Sequence, residues 1–251
     1  MVGAVTIFAA AVLNATAPAT AEVAGTYVSI GESSAAGPFF GRQLDPLGCF
    51  RSDRNYAHLT AEALGLTLRD ASCSGAAIND MYVAQSLLFD AANIPQLDAV
   101  TEDATIVSVD IGINDYVAGG WSASALAPKL DALLDDIRAR APHATVFVMG
   151  KFQRLRAGGC FPRVPLPPDL AEQYYQGIQA LNALLAERAA VHDAIFVDVY
   201  PASIGHDACA PEDIRWVEGV LPESPAQPMH TNEVGHYQEA LLLIDAIRAH
   251  A

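Results

Sequence analysis

Five short apolar runs rich in β-branched residues punctuate the chain: GTYVSI at 25–30, LTLRDA at 66–71, TIVSVDI at 105–111, ATVFVMG at 144–150 and AIFVDV at 194–199. Their apolar positions follow one another instead of alternating with polar ones, the pattern of strands covered on both faces. Longer helical patterns lie near 55–64, 76–100, 122–140 and 169–192, with a last one near 233–250. This alternation predicts an α/β fold in which helices cover both faces of a parallel sheet. No repeat and no interdomain linker interrupts it.

Two stretches fit neither pattern. LRAGGCFPRVPLPPD at 155–169 reads as a surface loop tethered by Cys160, and 200–229 holds Cys209, Trp216 and five prolines. At the amino terminus, the apolar run AVTIFAAAVL at 4–13 is followed by small residues and ATAE at 19–22. That pattern predicts an export signal over residues 1–21, cut after Ala21, although no Lys or Arg precedes the apolar run; a single domain over 22–251 follows. No other run approaches the roughly 18 apolar residues that span a bilayer.

Composition narrows the classes further. A chain that is 52% hydrophobic and only 17% charged is globular, not disordered. With 14 basic against 29 acidic residues, its formal charge of -15 repels a phosphate backbone and an anionic membrane surface, so nucleic acid is excluded as a partner. Four cysteines, Cys49, Cys73, Cys160 and Cys209, fit an oxidising compartment, and none of their spacings is CxxC. Three pairings are open. Cys49 with Cys73 and Cys160 with Cys209 is the favoured one, each closing a loop of a few tens of residues; a metal site is the lesser reading.

Ligands of open parallel sheets bind beyond the carboxyl ends of the strands, where strand order reverses. After the first strand comes GESS, after the second SCSGA (72–76), after the third GINDY (112–116), and before the last helix QPMHTNEVGH (227–236). These stretches supply a hydroxyl nucleophile, a glycine whose N–H can be approached closely, an Asn side-chain amide and a histidine base, the groups of acyl transfer.

In that order and at those separations, IGESSAAG, SCSGA, GIND and HTNEVGH resemble the four sequence blocks of the SGNH, or GDSL-type, esterases and lipases. CFRSDRNY at 49–56 and GHDAC at 205–209 are similar to the secreted, disulfide-bonded bacterial branch, which supports the cysteine pairing above. The resemblance implies a three-layer α/β/α sandwich with a flavodoxin-like five-stranded parallel sheet of order 2-1-3-4-5. It implies Ser33 as nucleophile, His230 as base, and the Ser33 N–H, Gly75 and Asn114 as oxyanion hole. Asp115 then fixes its loop, His206 and His236 are structural, and Ser34 caps a helix or faces solvent. The implied activity is hydrolysis of a small-molecule, lipid or carbohydrate ester through an acyl-enzyme, by a secreted monomer that uses no metal and no organic cofactor.

Two residues depart from the pattern. Glu32 stands where the family has Asp, and Gln227 stands three residues before His230, where the family's acid lies. In a serine protease, changing the triad acid to its amide costs about 10⁴-fold through the wrong histidine tautomer. A backbone C=O at Gln227 or Pro228 can hold the same tautomer, as a Ser-His dyad; Glu223 and Asp207 are the carboxylate alternatives. Phe39, Phe40, Tyr116, Trp121, Phe152 and Phe161 follow the relevant strands and are candidates to line an apolar acyl groove, with core as their default role. Two other functions stay open: an acyltransferase of the same fold, and a secreted binding protein with a decayed site.

Overall fold

Each of the five apolar runs forms a strand of one parallel sheet. In the computed structural model, which describes residues 25–250, these are β1 (Thr26–Gly31), β2 (Thr67–Asp70), β3 (Ala104–Asp110), β4 (Thr145–Met149) and β5 (Ile195–Val197). The expected signal segment 1–21 lies outside the described residues. The strand order is β2-β1-β3-β4-β5, as expected. Because the chain leaves β1 for one side and returns on the other, the reversal falls between β1 and β3, whose ends are level at Gly31 and Asp110.

Alternate side chains of the strands feed two cores. Val28, Ile30, Val107, Val109, Val146 and Val148 face helices α2 (Ala123–Arg140) and α3 (Pro168–Val191) through Leu126, Leu130, Leu133, Ile178 and Leu181. Tyr27, Ile106, Phe147 and Met149 face α1 (Tyr56–Leu64) and α4 (Glu233–His250) through Tyr56, Ala57, Leu64, Leu243 and Ile247. Helix starts follow local chemistry. Asn55 caps α1 by accepting from His58 N–H, and Ser122 caps α2 by accepting from Ala125 N–H. Cys49 is bonded to Cys73 and Cys160 to Cys209, the favoured pairing.

The helix expected over 76–100 is absent and needs correction. That stretch holds three short 3₁₀ turns, Ile78–Met81, Leu88–Asp90 and Gln96–Ala99, and a two-residue ribbon of Gln85–Ser86 with Ala92–Asn93. Its polar side chains are engaged elsewhere. Asp80 accepts from Ala77 N–H, Asn93 donates to Ala71 C=O, and Gln96 pairs with both the N–H (2.7 Å) and the C=O (3.0 Å) of Gly31. Side chains that hydrogen-bond the backbone outside a helix compete with its ladder, and Pro95 has no N–H to contribute to one.

Candidate active site

Ser33 is delivered by a close approach of backbones at the switch point. A Cβ on Gly31 would lie 2.5 Å from the Asp110 carbonyl, so only glycine lets β1 end so tightly against β3. Glu32 N–H then donates to that carbonyl at 3.0 Å, and one helical turn, Ser33–Ala36, closes at Gly37. Ser33 is 6% exposed. Ser34, expected to cap a helix or face solvent, does neither: it is buried and its Oγ accepts from Arg154 Nη2 at 2.7 Å. The reason is that Glu32 occupies the capping position, which puts Ser34 inside the turn.

His230 arrives on a tight turn. Its N–H donates to Gln227 C=O at 3.1 Å, Pro228 follows that residue, and Met229 has φ +61°, the pattern of a type II turn with proline second and a left-handed residue third. The turn is tied down by Gln227 N–H to Pro38 C=O and Met229 N–H to Gly219 C=O, both 3.1 Å. His230 Nδ1 lies 2.8 Å from Pro228 C=O, and Nε2 lies 2.8 Å from Ser33 Oγ. A carbonyl only accepts, so Nδ1 carries the proton and Nε2 presents its lone pair to the serine hydroxyl. Burial first, and then the charge of Arg154, push the His230 pKa down to about 4 against the opposing pull of the Pro228 carbonyl. The two carboxylate alternatives are engaged elsewhere: Asp207 with Arg156 and the Cys209 N–H, Glu223 with Arg215.

Bonds running across the switch point connect the remaining groups. Cys73 N–H donates to Gly31 C=O at 3.0 Å, which sets the loop carrying Gly75 beside the serine turn. Gly75 has φ +80°, and neither its N–H nor that of Ser33 finds an acceptor among the described residues. Asn114, on the short helix Ile113–Ala118 after β3, donates through Nδ2 to Ala76 C=O at 2.8 Å, which leaves its second amide hydrogen unused. Asp115 holds this loop by accepting from Ile78 N–H (2.8 Å) and Lys129 Nζ (2.9 Å). His236 is fully buried, with Nδ1 accepting from Tyr56 N–H, and His206 stacks on Trp216.

Beneath these groups lies an ion cluster that the sequence reading missed. Lys151, just past β4, is 2% exposed and contacts Glu32 Oε1 at 2.7 Å and Asp110, both fully buried. Burial opposes the ammonium charge, but Asp110 and Glu32 outweigh it and raise the Lys151 pKa. The other Glu32 oxygen accepts from the Asn114 N–H at 3.4 Å. The residue that departs from the family's Asp therefore uses its longer reach to join an ammonium to the Asn114 loop. Two carboxylates at the ends of adjacent buried strands need a buried cation, but that Lys151, two residues past β4, supplies it follows only from the strand order.

Of the aromatic candidates, Phe40, Tyr116 and Phe152 are core residues, and Trp121 packs edge-on against Tyr116 and Tyr174. Phe39 and Phe161 are exposed, Phe39 lying edge-on against Phe50 with ring centres 4.9 Å apart.

Known proteins bear the same signature. Residues 29–238 match the GDSL-like Lipase/Acylhydrolase family. A Streptomyces coelicolor protein named Lipase 2 is 31% identical over 267 positions, covering 92% of this chain and 88% of the relative. The crystal structure of an extracellular lipase from Streptomyces rimosus superposes with a TM-score of 0.71 at 26% identity, over 89% of this chain and 99% of that one. A phospholipase A1 from Streptomyces albidoflavus shares the fold with a TM-score of 0.72 at 22% identity, over 89% and 99% of the two chains. By its sequence match over most of its length, the sheet order and these relatives, the chain belongs to the GDSL-like lipase/acylhydrolase family of ester hydrolases.

Proposed function

We propose that this protein is a secreted serine esterase or lipase that works through a Ser33–His230 dyad, with the Pro228 carbonyl in place of the acid. The observation that carries the reading is the pair of 2.8 Å contacts on the two ring nitrogens of His230. In the first step, Ser33 Oγ attacks the acyl carbonyl while His230 Nε2 takes its proton. Charge that builds on the former carbonyl oxygen meets the Ser33 and Gly75 N–H groups and the Asn114 amide. His230 then hands its proton to the leaving alcohol, and water, deprotonated by the same nitrogen, releases the acid from Ser33.

Export is supported by the amino-terminal pattern and the two disulfides; no helix among the described residues is long and apolar enough to cross a membrane. The test is incubation of the disulfide-intact protein with a serine-directed organophosphonate, followed by mass mapping. Stoichiometric modification at Ser33, with p-nitrophenyl ester hydrolysis lost in parallel, is the expected result. An unmodified Ser33 in folded protein would overturn the dyad.

A further inference from the structure

Ser33 and His230 come from positions 197 residues apart, and one side chain spans the gap between their neighbours. Arg154 is 6% exposed. Its Nη2 donates to Ser34 Oγ at 2.7 Å and its Nη1 to the Met229 carbonyl at 3.3 Å. Ser34 adjoins Ser33, and Met229 adjoins His230. Arg154 is itself anchored on both sides, because its carbonyl accepts from Ala208 N–H at 3.1 Å and the preceding Gln153 N–H donates to Ser203 Oγ at 2.8 Å.

A buried guanidinium ordinarily faces a carboxylate, since desolvating a cation without a counter-charge is costly. Here the guanidinium donates to two neutral oxygens, one on each half of the reacting pair, and the Tyr174 hydroxyl lies against it as well. The planar fork can hold two acceptors at a fixed separation, which a lysine cannot do.

We infer that Arg154 is a positioning residue that fixes the Ser33–His230 separation from behind. It supplies the rigidity that a carboxylate behind the histidine gives a triad, and its charge adds to burial in favouring the free-base imidazole that accepts a proton. The inference rests on the dyad reading. The groups facing His230 are Arg154 from the segment after β4, Ser33 from the turn after β1, the Pro228 carbonyl on its own loop and His236 on α4, whose own pKa is lowered by burial and then by His230. Around Arg154 lie Tyr174, Glu32 and Asp110. Of these groups, Arg154 is the one whose charge lowers the His230 pKa, so its removal moves that pKa upward.

The experiment compares wild type with Arg154→Met, Arg154→Lys and Ser34→Ala, using p-nitrophenyl ester hydrolysis across pH 3.5 to 8 and active-site counting by the phosphonate at Ser33. In wild type the acid limb of kcat/KM should lie near 4, because His230 must be neutral to accept the proton. Arg154→Met should lower kcat per labelled site by about 10²-fold with KM little changed, the scale of a sub-ångström to ångström misplacement. It should also move the acid limb upward toward an ordinary histidine. Arg154→Lys keeps the charge and loses the fork, so kcat should fall about tenfold while the limb stays low, and Ser34→Ala should do the same. A purely structural role would lower the number of labelled sites and leave limb and kcat per site alone.

Folded Arg154→Met with limb and kcat within about threefold of wild type would overturn the inference. Should that variant fail to fold, unchanged kcat per site in both Arg154→Lys and Ser34→Ala would overturn it equally. A wild-type protein that the phosphonate does not label at Ser33 would instead sink the dyad itself.

Discussion

Replacing Lys151 with Met tests the buried ion cluster beneath the candidate site. The substitution keeps most of the side-chain volume and removes an ammonium that touches two carboxylates, Glu32 and Asp110, with all three groups no more than 2% exposed. Removing one partner of a buried ion pair costs about 3–5 kcal/mol because the remaining charge is left without compensation. Two carboxylates left facing each other put this case at the upper part of that range, about 4–5 kcal/mol. In a domain of this size each kcal/mol moves the melting temperature by about 2–4 °C, so a fall of roughly 8–20 °C is expected at pH 8.

The pH dependence has a defined sign. Burial already raises the Glu32 pKa against the pull of Lys151, and without the ammonium burial and the Asp110 charge are opposed only by the weaker pull of Arg154, so the Glu32 pKa rises further. The folded variant then binds more protons than the unfolded chain above the ordinary Glu pKa, so its stability drops as pH rises. In wild type, the raised Lys151 pKa gives a contribution that is fully present below the unfolded Lys value of about 10.4, and therefore constant between pH 5 and 8. The deficit of the variant should widen from pH 5 to pH 8, and adding Glu32→Gln should recover part of it. Melting by circular dichroism, disulfides intact, reads wild type and both variants. A Lys151→Met protein within 2 °C of wild type at pH 8, or one whose deficit is larger at pH 5, would refute the reasoning.

Three further outcomes follow from the geometry. Asn114→Ala should cost about 10²- to 10³-fold in kcat with little change in KM, measured on a p-nitrophenyl ester, as for loss of one oxyanion donor. Gln227→Ala should stay within about threefold of wild-type kcat/KM, because the main chain of residue 227 makes the turn, through Pro38 and His230; a loss near 10³-fold would assign the orienting role to the Gln227 side chain. Replacing Cys49 and Cys73 by Ser opens a loop of 24 residues, and replacing Cys160 and Cys209 opens one of 49; chain entropy predicts losses of about 3.5 and 4 kcal/mol, read from denaturant midpoints.

The sheet was legible because buried parallel strands have to be apolar without interruption. TIVSVDI and ATVFVMG could hardly be anything else, and the observed Ala104–Asp110 and Thr145–Met149 differ from them by one residue at each end. The stretch 76–100 was not, because what shapes it is distant: Gln96 is bound to Gly31 and Asn93 to Ala71, contacts that no local periodicity encodes. Ser33, Gly75, Asn114 and His230 could be picked out because each sits in a short motif right after a strand or before α4. Lys151 and Arg154 belong to no motif. A lysine and an arginine at the head of an irregular segment look like ordinary surface charges, and only the convergence of three strand ends on one spot buries them.

The turn that carries His230 has one further consequence. A carboxylate behind a catalytic histidine takes up a proton in acid and lets go of the ring, so a triad loses its base and its alignment together. The Pro228 carbonyl has no such transition. Whatever acid does to the imidazole itself, the acceptor behind it stays an acceptor, and the alignment is lost only when the Gln227–His230 turn unfolds. In the proposed dyad the weak point moves from the protonation of a side chain to the folding of four residues, and residue 227 would need only to begin that turn.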